Sequence, residues 1–113
     1  MTIAFELNGQ EFVALNGGPH FKFTEAVSFV INCDTQDELD HYWNKLSEGG
    51  PEDAQMCGWL KDKFGLSWQI VPSELGAMMK DPAKANRVMG AVMQMTKLDI
   101  ATLRKAASDT SNG

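Results

Sequence analysis

Basic residues are scarce and scattered in this chain. Ten Lys and Arg stand against fifteen Asp and Glu in 113 residues, a formal charge of −5. With a pI near 4.8 and no basic run, the composition argues against a nucleic-acid or anionic-membrane partner, both of which select clustered Lys and Arg. Long hydrophobic runs are missing too. No stretch approaches the ~20 apolar residues of a membrane-spanning helix, and no signal peptide opens the chain. Cysteine is limited to Cys33 and Cys57, which make neither a disulfide framework nor a CxxC metal motif. A reducing, cytoplasmic setting is the resulting expectation. What is present is ordinary: 43% hydrophobic and 22% charged residues are globular values. A chain of this length reads as one domain that buries roughly 65% of its unfolded surface.

The opening residues read as a β-hairpin. Ile3, Phe5 and Leu7 alternate with polar or small neighbours, the period-2 signature of a half-buried strand. Asn8-Gly9 is the dipeptide that a two-residue type I′ turn favours. The return strand carries Phe12 and Ala14 on one face and Val13 and Leu15 on the other, until Asn16-Gly17-Gly18-Pro19 breaks it. After a loop with His20, Phe21 and Phe23, residues 26–33 form a β-prone run, with Val27, Phe29, Ile31 and Cys33 on one side and Ala26, Ser28, Val30 and Asn32 on the other. Thr35 followed by Glu38 is a capping box that starts a helix, and Gly49-Gly50-Pro51 ends it. Two strands at residues 56–61 and 66–71 follow, joined by Asp62-Lys63-Phe64-Gly65. Beyond Pro72 the pattern turns helical. Asp81-Pro82 is an N-cap followed by proline at the first helical position, ahead of an apolar stripe of Ala85, Val88, Met89, Val92 and Met93. A last short helix starts at Asp99, and the polar tail from residue 108 frays. The order predicts an α+β chain with mostly antiparallel pairing and a helical tail over residues 73–107.

Three stretches together resemble one family. They are Phe12-Val13-Ala14-Leu15-Asn16-Gly17-Gly18-Pro19, Ser28-Phe29-Val30-Ile31-Asn32-Cys33, and the run from Cys57-Gly58-Trp59-Leu60-Lys61-Asp62 through Phe64-Gly65-Leu66-Ser67-Trp68-Gln69-Ile70-Val71-Pro72. On them the chain resembles the PhnB-like branch of the glyoxalase/bleomycin-resistance (vicinal oxygen chelate) superfamily, whose members are often labelled 3-demethylubiquinone-9 3-methyltransferase. The resemblance implies paired βαβββ modules curled around a cavity. It implies a second module running from near Ala26 to near Val71, complete here. It further implies a first module shortened to its last two strands, so that residues 1–113 are expected to form a single domain lacking its N-terminal strand and helix. A sheet edge exposed in that way is commonly covered by a second copy, which predicts a homodimer through the N-terminal module.

In metal-using members, inward residues on the first and last strand of each module hold a divalent ion. By this resemblance the second-module positions correspond to Ser28 and Gln69, and the first module offers Val13 or Ala14. A hydroxyl and a neutral amide suit Zn²⁺ or Ni²⁺ poorly, so no metal is expected. No cofactor is expected either, because neither Gly17-Gly18 nor Gly49-Gly50 lies between a strand and a following helix, as a Rossmann-like site requires. The remaining polar candidates have two readings each. His20 is either a general base at the cavity mouth or a solvated loop histidine. Cys57 is either a nucleophile or a structural thiol. Trp59 and Trp68 either line a ligand cavity or pack the core. Ser28, Asn32, Trp59 and Gln69 form the expected cavity set. Two functions remain open: a non-metal protein that binds an unknown small molecule, and an enzyme of the superfamily (lyase, isomerase or transferase) completed by an N-terminal segment or a second subunit.

Overall fold

The computed structural model describes residues 2–15 and 18–108. Met1, Asn16, Gly17, the tail from residue 109 and the side chain of His20 lie outside the described residues, and the readings of His20, of Asn16-Gly17 and of the tail fall there.

The hairpin forms as its turn dipeptide dictates. Strands β1 (Thr2–Leu7) and β2 (Gln10–Leu15) pair antiparallel. Asn8 and Gly9 both take positive φ, 50° and 82°, which matches the right-handed twist of the strands they join. Opposed Phe5 and Phe12 stack with ring centroids 5.6 Å apart. Phe12 reaches Phe29 at 5.7 Å, and Phe29 meets Trp68 edge-on at 5.4 Å. This aromatic chain ties the hairpin to the rest of the fold, since Phe and Trp rings gain from tilted contacts beyond the area they bury.

The second sheet is three-stranded, in the order β3 (Ser28–Cys33), β5 (Ser67–Pro72), β4 (Trp59–Lys61). The β3–β5 pair is parallel and the β4–β5 pair antiparallel. The parallel pairing needs a crossover, and helix α1 (Gln36–Ser47) supplies it. Its capping box closes as the residues predict, with the Glu38 amide donating to Thr35 Oγ1 at 3.1 Å. The reciprocal bond shifts by one residue: Asp34 N donates to Glu38 Oε1 at 2.8 Å.

Two strand boundaries differ from expectation. The first strand begins at Ser28, not at residue 26, because Val27 N bonds to Thr24 O and Ala26 N to Thr24 Oγ1, closing a turn that leaves Val27 exposed. The strand expected over 56–61 reverses at its second and third residues. Cys57 and Gly58 take φ of 55° and 85°, and Met56 and Trp59 exchange both backbone hydrogen bonds across them. Between α1 and β4 the chain makes a 3-10 turn (Glu52–Ala54) and this tight reversal.

One face of the sheet carries the core. Ile31, Cys33, Leu60 and Ile70 meet Leu39 and Trp43 of α1, with Val88 and Val92 of a later helix and Leu98, Ile100 and Leu103 completing the cluster. The short α2 (Leu75–Met78) is followed by α3 (Pro82–Val92), whose N-cap Asp81 accepts from Ala83 N, and by α4 (Ile100–Ser108). Met78 is buried, whereas Met89 and Met93 of the expected stripe are exposed. Side chains dock this helical tail. Gln36 of α1 donates to Leu98 O and accepts from Ile100 N. Arg87 of α3 donates to the carbonyls of Ala106 and Ala107, orphans at the end of α4. Arg104 grips Glu74 through two bonds of 2.6 and 2.8 Å. No helix among the described residues is long and apolar enough to cross a membrane.

Candidate functional site

The sheet face opposite the core is half-open: Val30 and Asn32 are exposed, and Ser28, Trp59, Lys61, Gln69 and Val71 half-buried. Register decides which residues point that way: side chains alternate along each strand, and paired residues share a side. Ile31 and Ile70 are partners on the core face, so Ser28, Val30 and Asn32 of β3 lie on the other, together with Ser67, Gln69 and Val71 of β5. On β4, Trp59 pairs with Gln69 and Lys61 with Ser67, which adds both to the same face. All four residues of the expected cavity set, Ser28, Asn32, Trp59 and Gln69, therefore stand on one face of one sheet.

Their contacts separate them. Gln69 Nε2 donates to Ser28 Oγ at 2.9 Å, joining the central strand to β3. Trp59 adjoins Gln69 and forms a wall of a cleft of 540 Å³ at the β4 end of the face. Asn32 lies at the far end of β3, exposed and away from that cleft. Trp68 faces the core side, where its indole N–H donates to Asp62 Oδ2 at 2.9 Å. The same carboxylate accepts from Phe64 N and Leu66 N through Oδ1, so Asp62 holds the turn that aims β5.

The cleft brings in residues that sequence reasoning missed: Glu25, Met56, Lys61 and Ser67 line it with Trp59. Cys57, a candidate thiol of the sequence, lines it too. Lys61 forms an ion pair with Glu25, whose carboxyl is held below the usual carboxylate range by the Lys61 hydrogen bond first, then by its own backbone and the Lys61 charge. Ser67 is buried, and its hydroxyl has no hydrogen-bond partner among the described groups. A signal for Ser67 existed: it lies two residues before Gln69 and so shares its face. The Glu25–Lys61 pair had none, because 36 residues separate the two in the chain.

Of the two thiols, Cys33 sits in the core, where burial first, and then the charges of Glu38 and Asp34, push its pKa up to about 11. Cys57 is half-buried, with its Sγ 3.9 Å from Met93 Sδ. Among the described residues no three His, Cys, Asp or Glu side chains converge as a metal-binding group would need. Ser28 and Gln69 offer a hydroxyl and an amide already bonded to each other, a donor set that does not fit a divalent transition metal. A nucleotide-type cofactor fits no better. The β3–α1 connection is Asp34-Thr35, without glycine, and Gly50 follows α1 because a Cβ there would overlap the Lys61 carbonyl.

A family model described as 3-demethylubiquinone-9 3-methyltransferase matches residues 1–71. Among solved structures, a PhnB protein from Bacillus cereus is 34% identical, with a TM-score of 0.53 over 64% of this chain and 63% of that one. The chain thus spans about 63% of the length of that relative. No curated protein matches.

Proposed function

The chain belongs to the 3-demethylubiquinone-9 3-methyltransferase family, and from that premise we propose that it is a small-molecule-binding protein that works without a metal. The observation that carries this reading is the Gln69–Ser28 hydrogen bond beside the Trp59-lined cleft, on a half-open sheet face. A cleft of 540 Å³ falls within the range of small-molecule sites, which combine apolar walls with a few placed polar groups. Two unpaired cysteines suit a reducing, cytoplasmic setting. The test is a fragment screen by amide chemical-shift mapping. Bound fragments should shift Trp59, Ser67 and Gln69, and Gln69→Leu should weaken them about tenfold, the loss of one well-placed hydrogen bond. Shifts confined to the hairpin or to α4 would overturn the assignment.

The open face also favours a second reading, an enzyme of the vicinal oxygen chelate type whose site a second copy of the chain completes. Among the described residues β1 pairs with β2 alone, so its outer edge presents free backbone groups. Ile3, Val13 and Leu15 are all more than half exposed on the hairpin. A two-stranded hairpin is marginal by itself in water. The radius of gyration, 16.4 Å, exceeds the about 13 Å of a compact chain of this length. A second copy meets all three conditions, because an edge strand pairs readily with its own symmetry mate. Sedimentation at micromolar concentration should give a dimer, and Val13→Asp should give a monomer. A monomeric parent protein would remove this reading.

A further inference from the structure

Ser67 stands out on this half-open sheet face: its hydroxyl is buried and has no hydrogen-bond partner among the described residues. The register shows what surrounds it. Ser28, Ser67 and Lys61 form one row across β3, β5 and β4, and Glu25 lies three residues before Ser28. The Lys61–Glu25 ion pair therefore joins one edge strand to the turn preceding the other, at the level of Ser67 in the central strand, and all three residues line the same cleft. Among the described residues neither member of the pair bonds the Ser67 hydroxyl.

Three properties of this strap define what can replace it. Among the described residues lining the cleft, Lys61 is the one cation, and Glu25 and Asp53 are the acids. The Glu25 side chain is 63% exposed, so its hold on Lys61 is a surface ion pair of the weak, readily exchanged kind. Ser67 can donate to an acceptor placed beside Lys61, and a donor to an anion makes a stronger bond than a donor to a neutral group. A neutral ligand would have to part the ion pair without replacing either member. A cation would meet Lys61.

We propose that the Lys61–Glu25 pair is an exchangeable strap over an anion site: a small carboxylate with an apolar body displaces Glu25 from Lys61, accepts the Ser67 hydroxyl, and lays its body along Trp59 and Met56. This rests on the reading of the open face as a small-molecule site, and it names the chemistry of the molecule that binds there. Exchange of one carboxylate for another leaves the charge at Lys61 balanced, pairs the buried hydroxyl and fills the apolar part of the cleft. Desolvation of the apolar body supplies the advantage over Glu25, which offers the carboxylate alone.

The probes are three matched acid and amide pairs: benzoate and benzamide, phenylacetate and phenylacetamide, indole-3-acetate and indole-3-acetamide. Each pair has nearly one shape and differs in charge. Affinities come from amide chemical-shift titrations of the full chain and of Glu25→Gln, Lys61→Met and Ser67→Ala, each checked by thermal melt for folding. The expected result is that at least one acid binds about tenfold or more tighter than its amide, shifting Lys61, Ser67 and Trp59. Glu25→Gln should tighten the acid severalfold by removing its competitor. Lys61→Met should erase the difference between acid and amide, and Ser67→Ala should weaken the acid. Amides that bind as tightly as their acids, or a Glu25→Gln variant that binds the acid no better, would overturn the strap and leave the small-molecule reading standing. If no probe shifts Trp59, Ser67 or Gln69, that reading falls with it.

Discussion

Gly58→Ala is expected to destabilise the protein by about 2–5 kcal/mol, the sum of a positive-φ penalty of about 1–2 and an overpacking penalty of about 1–3. Gly58 sits at φ 85°, where an L side chain is strained. A Cβ there would also stand 3.0 Å from Leu98 Cδ1 and 3.1 Å from Cγ, and Leu98 is itself locked in the core. The turn cannot shift away easily. Gly58 N donates to Thr96 O at 2.9 Å and Gly58 O accepts from Ile70 N at 2.9 Å, while Cys57 N donates to Met95 O at 2.8 Å. Gly65→Ala provides the control: its φ is 89°, but nothing lies within 4 Å of the added carbon, so only the conformational part of about 1–2 kcal/mol remains. Urea melts of both variants give the comparison. A Gly58→Ala variant no less stable than Gly65→Ala would mean that residues 95–98 do not dock on this turn.

Neighbouring residues on β5 should respond in opposite ways. Trp68→Ala is expected to cost about 3–5 kcal/mol, as removal of a large packed aromatic does. It breaks the aromatic chain at Phe29 and frees Asp62 of its indole partner. Gln69→Leu should cost about 0–1 kcal/mol, because Ser28 is half-buried and water can replace the lost amide. The functional effect should be reversed: on the proposed function, Gln69→Leu is expected to alter ligand recognition, whereas Trp68→Ala is expected to act through the fold. Thermal melts decide between them. Greater loss in Gln69→Leu would put the wrong face of β5 toward the core, and the assignment of Ser28, Trp59 and Gln69 to one open face would go with it.

Local chemistry determined much of this protein in advance. Asn8-Gly9 demands the positive φ angles of the hairpin turn, Thr35 with Glu38 starts α1, and Asp81-Pro82 starts α3. Each signal works over a few residues, within which backbone geometry and one side-chain hydrogen bond decide the conformation. Period-2 alternation likewise separated Gln69 from Trp68 and Ile70, and Ser28 from Phe29. The motifs from Phe12 to Pro72 carried the family, which the match over residues 1–71 bears out.

Tertiary structure alone decided what those signals cannot reach. Cys57 reads as part of a strand, yet takes φ 55° because Met95 and Thr96, nearly forty residues later, receive the amides of the reversal. Gln36, in the first turn of α1, ties that helix to Leu98 and Ile100, more than sixty residues on. Glu25 and Lys61 meet only because β5 pairs parallel to β3 and antiparallel to β4, bringing both edges of the sheet to Ser67. Periodicity specifies which side a residue faces, but not which strand lies beside it. Neighbours are chosen by burial of the whole core face against α1, α3 and α4, and only that choice places a buried hydroxyl in one cleft with an ion pair.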